Sequence, residues 1–177
     1  SRTLVPGFGA DYHEGPAAYC KATGELFITL SNVTHPDTLR KMFPVEDVRL
    51  RLAIMTKVDG VWKVKEELPF NDDRFHFAHP AINPTGDTLV FSSDIDSLTI
   101  GKADLFMSVR KDGSWSDPIN LGHSVNTPGN EMYPAFIDGS LLSFASDGRS
   151  EGYGGLDIYN TTFPNIGSVN NLGDKIN

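Results

Sequence analysis

The chain has 177 residues, 39% of them apolar and 21% charged, with a net charge of −8 at neutral pH. That length and balance fit one folded domain with its own core and argue against disorder. The acidic charge and the scattered Lys and Arg argue against nucleic acid and anionic membrane surfaces, and no apolar run reaches the ~18 residues of a membrane span.

Residues 1–12 form an extension that precedes any repeated pattern. The first patterned stretch opens at His13-Glu14-Gly15-Pro16 and runs through Cys20 to the apolar segment at 26–30. Cys20 is the sole cysteine, which excludes an intramolecular disulfide and a thiolate zinc site; a buried, inert thiol is expected. A long connection follows, with room for a helical turn at 36–48 that Pro44 keeps short.

Asp59-Gly60-Val61-Trp62 predicts a tight hairpin turn with an aromatic just beyond it. The same phrase returns as Asp112-Gly113-Ser114-Trp115, at an offset of 53 residues. That offset also lays Leu142 on Leu89, Phe144 on Phe91, Asp147 on Asp94 and Asp157 on Asp104. With one residue inserted, Tyr133-Pro134 falls on His79-Pro80. The alternation at Leu89 and Phe91, and at Leu142 and Phe144, is that of strands with one buried face. NLGHSVN at 120–126 is echoed by NLGDKIN at 171–177. Three units result, at 13–71, 76–126 and 130–177. A period near ~50 residues with about four strands per unit is the size of a β-propeller blade. The expected fold is all-β: a propeller-type array of about three four-stranded antiparallel blades, part of a larger propeller in which six blades would be one closure.

Within such blades Trp62, Trp115, Leu89, Phe91, Leu142 and Phe144 read as packing residues, and Pro80, Pro134, Asp104 and Asp157 as structural positions of the repeat. Stacking of the two Trp rings on carbohydrate is the functional alternative. Asp72, Asp73, His76 and His79 form the most metal-like cluster. His79 occupies a slot that Tyr133 and Gly15 take in the other units, which favours a structural role. The Asp-rich loops at 94–104 and 147–157 could offer oxygens to calcium, but Asp and Gly also end strands by capping their own backbone. No nucleophile motif, metalloprotease helix motif or phosphate-binding loop is present, so no catalytic, cofactor or metal residue is assigned.

The stretches YHEGPAAY (12–19), VDGVWKVKEELPFN (58–71), AHPAINPTGDTLVFSSD (78–94) and NEMYPAFIDGSLLSFASDGRSEGYGGLDIY (130–159) resemble the WD-like, TolB-type propeller repeats of OmpA-family envelope proteins. Some members of that family serve type IX secretion and gliding. The resemblance implies a non-catalytic binding or scaffolding module in the periplasm, associated with the outer membrane. Its partner would be a protein or envelope component, with peptidoglycan reached only through a domain absent from these residues. Departures are CKATGE in the first unit, where the family favours Ser-Pro-Asp-Gly, and the long connection at 32–48. Two other readings stay open. Glu-Gly-Pro at 14–16 also resembles the metal-binding Glu of gluconolactonase-type propellers, which would make a metal-dependent lactonase; alternatively, the blades are an accessory propeller of a hydrolase. Three blades in line leave two faces open, the first expected from Leu26 and Ile28, the last from Leu142, Phe144 and Ile158. Self-association of the isolated chain through those faces is expected.

Overall fold

The computed structural model describes residues 14–31, with Glu14 in its backbone only, and residues 48–177. The extension at 1–12, the Glu14 side chain and most of the connection at 32–48, with its expected helical turn, lie outside the described residues. The described elements are strands throughout. One sheet holds β1 (Glu14–Cys20), β2 (Glu25–Ser31), β3 (Leu50–Val58) and β4 (Val61–Glu67), in that order. A second holds β5 (Phe77–Ile82), β6 (Thr88–Ser93), β7 (Asp104–Lys111) and an outer strand split into β8 (Ser114–Trp115) and β9 (Ile119–Asn120). The third holds β10 (Glu131–Ile137), β11 (Leu141–Ser146), β12 (Asp157–Thr162) and β13 (Asn170–Asn171). All neighbouring strands within a sheet are antiparallel. The fold is therefore all-β, three meandering sheets with β5 flanked by β1 and β10.

The turns follow from backbone chemistry. Asp59 and Gly60, Asp112 and Gly113, and Asp138 and Gly139 all have positive φ at both positions, the type I′ geometry whose twist matches antiparallel strands. Asp tolerates that region because its short side chain bonds locally, and Gly because it lacks a Cβ.

The second sheet is covered on both sides. Leu89, Phe91 and Phe106 pack with Phe27, Leu52 and Ile54 of the first sheet. Val90 and Leu105, pointing the other way, pack with Leu142, Phe144 and Tyr159 of the third. Leu142 and Phe144, expected on the last open face, are instead 0% and 1% exposed in that inter-sheet core. The open side of the third sheet carries Ile137 and Ile158, with Ala145 and Ser143 between them. Alternation identifies which residues share a face, but not on which side the neighbour lies. On the first sheet's far side, Ile28, Leu30, Ala53 and Met55 form a third cluster with Leu26. Ile28 is 0% exposed, so this face is not an open one as expected.

Each sheet ends in an asparagine clamp. Asn71 accepts the N–H of Leu52 at 3.0 Å and donates to its carbonyl at 2.8 Å. Asn126 does the same to Leu105, at 2.8 and 2.9 Å, and Asn177 to Ile158, at 2.6 and 3.2 Å. A carboxamide carries a donor and an acceptor at the spacing of a peptide group, so it substitutes for a further strand. The echoed Asn-Leu-Gly serves this clamp. Asn120 donates to Asp104 and accepts from Gly122 N–H and from Asn126, and Asn171 repeats all three bonds with Asp157, Gly173 and Asn177. Gly122 and Gly173 have positive φ, which the return of the chain requires.

A charged joint ties the first two sheets. Glu25, with its side chain 6% exposed, accepts from Lys65 and from Arg110, each at 2.8 Å. Arg110 also lies over the Trp115 ring at 4.5 Å, and Trp115 meets Phe27 edge-on. Burial alone would raise the Glu25 pKa, but the hydrogen bonds from Lys65 and Arg110 outweigh it and hold the carboxyl below its usual range.

Two outcomes follow. Asn126→Ala leaves the Leu105 N–H unpaired in a fully buried place, while the Leu105 carbonyl keeps the Leu121 N–H, and should cost about 1–3 kcal/mol in urea unfolding. For Glu25, the depressed folded pKa stabilises the protein above the unfolded value of about 4.3 and is lost as pH falls toward the folded one. The stability difference between the native protein and Glu25→Gln should therefore be constant from neutral pH to about 5 and shrink below about 4.3. A difference that grows on acidification would contradict the joint.

Candidate functional site

Two places draw side chains together. The first is on the inner strands. Each of β1, β5 and β10 carries a bulge, between Glu14 and Ala17, Ala78 and Ala81, and Met132 and Ala135. At the last two bulges His79 and Tyr133 take positive φ, 55° and 54°, and their rings pack at 4.1 Å across neighbouring sheets. The His79 N–H donates to Thr29 Oγ1, while its Nδ1 is buried with no partner. Burial pushes the His79 pKa down, toward the neutral ring. The first sheet has Gly15 at this place, where a Cβ would stand 3.1 Å from the Thr29 side chain.

The second is a cleft of about 530 Å³ at the end of the second sheet. Three segments make it: the passage from β4 to β5, the loop after β6, and the break in the outer strand at Asp117-Pro118. Phe70, Phe77 and Ile95 form the apolar floor, with Leu98 and Phe75 beside it. Three carboxylates, Asp72, Asp96 and Asp117, line it against one cation, Arg74. Arg74 is already engaged. Its Nε and Nη2 grip Asp72 at 3.0 and 2.6 Å, and its guanidinium lies 5.3 Å from the Phe75 ring centre. The hydrogen bonds from Arg74 lower the Asp72 pKa to about 2. The Asp96 and Asp117 carboxylates are exposed and have no ionic or hydrogen-bond partner among the described residues.

The structure separates the metal-like sequence cluster. Asp72 pairs with Arg74, Asp73 with Arg51, His76 Nδ1 accepts the Leu50 N–H, and His79 packs on Tyr133. Among the described residues no three His, Cys, Asp or Glu groups come close enough to hold a metal ion. The Asp-rich loops turn inward on the backbone. Asp94 accepts from His76 N–H, Asp104 from Ile100 and Gly101, Asp147 from Asn130, and Asp157 from Tyr153. Asp96 is the exception. Trp62 and Trp115 are half-buried at equivalent places, under Lys57 and Arg110 respectively. Pro80 and Pro134 are buried behind the two bulges, and Cys20 is buried in the core between the first two sheets. Phe70, Arg74 and Asp117 stand where the units differ, and their signal in the sequence is that disagreement, above all Pro118 interrupting an outer strand.

No family profile matches the chain, and no curated protein sequence matches it. Solved structures do. The crystal structure of TolB from Acinetobacter baumannii aligns with 93% of this chain and 33% of its own length, at 15% identity and a TM-score of 0.55. A puromycin-hydrolyzing peptidase from Mycobacterium tuberculosis aligns with 96% of this chain and 24% of its own, at 16% identity and a TM-score of 0.52. The fold is that of a TolB-type β-propeller segment. The chain spans a third or less of either structure, and at these identities the likeness concerns architecture alone.

The inner bulges give a clean test. His79 holds a left-handed backbone that costs a non-glycine residue about 1 kcal/mol or more. His79→Ala should destabilise more than His79→Gly in chemical denaturation. The reverse order would mean that the His79 backbone is relaxed and its ring contacts dominate.

Proposed function

We propose that this chain is part of the propeller of an OmpA-family envelope protein and serves as a non-catalytic binding or scaffolding module in the periplasm, at the outer membrane. The observation that carries the reading is the TolB-type architecture combined with an open cleft lined by free carboxylates. The sequence resemblance over 12–19, 58–71, 78–94 and 130–159 supplies the OmpA-family part, and type IX secretion is one setting in which such a module would serve. In this reading the units 13–71, 76–126 and 130–177 are successive blades. Trp62, Trp115, Leu89, Phe91, Leu142, Phe144, Asp104, Asp157, Pro80 and Pro134 hold them together, and the partner is a protein or envelope component. No helix among the described residues is long and apolar enough to cross a membrane.

A second reading, an accessory propeller of a hydrolase, is supported by the likeness in fold to the puromycin-hydrolyzing peptidase. The native protein, followed by fractionation of its source cells, should recover with the periplasm and outer membrane. The 177-residue chain should turn over neither lactones nor peptide esters, with or without zinc or calcium. Cytoplasmic recovery would remove the envelope assignment, and metal-stimulated lactone turnover abolished by Glu14→Gln would replace the module with a lactonase.

A further inference from the structure

The second and third sheets solve the same packing problem in two ways. In the third, Tyr159 and Phe144 stack at 6.1 Å, and Arg149 covers the column, its guanidinium 5.2 and 5.8 Å from the two ring centres. Arg149 is fixed there by hydrogen bonds to the carbonyls of Ser124 and Val125, at 3.0 and 2.7 Å. The second sheet has the matching column of Phe106 and Phe91, stacked at 6.2 Å in the same ladder positions. Phe70, which precedes the Asn71 clamp as Val125 precedes the Asn126 clamp, lays a third ring flat on Phe91 at 5.0 Å and 9°. Its other face belongs to the floor of the cleft.

Where the third sheet caps its column with a cation, the second has none of its own. Arg149 lies five residues past Phe144, and the residue five past Phe91 is Asp96. The charge is reversed at the equivalent position, and Asp117 adds a second unpartnered carboxylate. Arg74 does not fill the role, being held on Phe75 and Asp72. A flat aromatic floor ringed by free carboxylates matches a planar cation that stacks on one face and donates from its edge, which is a guanidinium rather than an ammonium. The exposed Leu98 and the neighbouring Pro118 offer apolar contact to residues on either side of such a cation.

We propose that this cleft is a receptor for an arginine side chain presented on an extended segment of a partner polypeptide, seated on Phe70 between Asp96 and Asp117. The assignment rests on the binding-module reading and names the chemistry of its partner. Charge complementarity selects the occupant, and the protein's own third sheet displays the mode.

The test uses the 177-residue protein, isotope-labelled for amide NMR, and two capped hexapeptides. One carries a single central arginine between leucines; the other replaces that arginine with neutral citrulline. The arginine peptide should shift amides at 70–77, 95–98 and 117, and the citrulline peptide should bind about tenfold more weakly. The double variant Asp96→Asn with Asp117→Asn should lose a similar factor while melting at the native temperature. Asp96→Arg, which installs the third sheet's solution, should abolish binding and melt no lower than the native protein. Equal binding of the two peptides, full affinity in the double variant, shifts spread over the whole acidic surface, or no binding at millimolar peptide would each overturn the receptor. Tight binding of spermidine at the same amides would overturn the polypeptide part. None of these outcomes bears on fractionation with the envelope, so the module reading stands or falls separately.

Discussion

A sheet that is apolar on both faces has to be covered twice, and that requirement organises this molecule. In β6 three successive residues, Leu89, Val90 and Phe91, are each 0% exposed, so the strand cannot alternate between core and water. It alternates between two cores instead. Burial of this kind is non-directional and sets no register between sheets. Register comes from the polar contacts threaded through it. Glu25 reaches Arg110 across the first interface, while Ser92 donates to the Glu131 carbonyl and Lys102 N–H to the Gly129 carbonyl across the second. Buried polar groups of this sort are costly when unpaired, and so they reject sliding that apolar contact would tolerate.

The outer edges obey a different economy. β8, β9 and β13 are two residues each, too short to hold themselves by pairing. The asparagine clamps close the sheets where strands run out, and the Asp104 and Asp157 carboxylates hold Asn120 and Asn171, which in turn accept from the clamping Asn126 and Asn177. In the second sheet the outer strand is also broken at Asp117-Pro118, and the gap becomes the cleft. The site and the weakness of the edge are thus one feature. A continuous fourth strand there would have left no wall for Asp117 to line.

Much of the architecture could be read from residue order. Alternation and Asp-Gly turns indicate an all-β chain, and the contrast between the strands TLVF and LLSF marks which sheet is covered twice, since Val90 is replaced by Ser143. The sidedness of Leu142 and Phe144 was not readable, because period two separates faces without saying where the neighbour stands. Ion pairs such as Glu25 with Arg110 join residues far apart in sequence with no local trace. Candidate binding residues were the hardest to see. Repeats advertise themselves where they agree, and the cleft is made of positions where they differ: Phe70 against Val125, Asp96 against Arg149.

The clamps also bear on the chemical lifetime of the protein. Each depends on a carboxamide that accepts the N–H and donates to the carbonyl of a single strand residue. Asparagine is among the thermolabile residues, and hydrolysis of its side chain leaves a carboxylate with no donor at all. After that change the acceptor half of the clamp survives, while the opposing carbonyl of Leu52, Leu105 or Ile158 meets a negative oxygen instead of a hydrogen. Ageing at one atom would turn the seam of a sheet from attractive to repulsive. Burial of Asn126, 1% exposed, shelters the middle seam from water; Asn71 and Asn177, at the two outer sheets, have less shelter and set the slow clock of the fold.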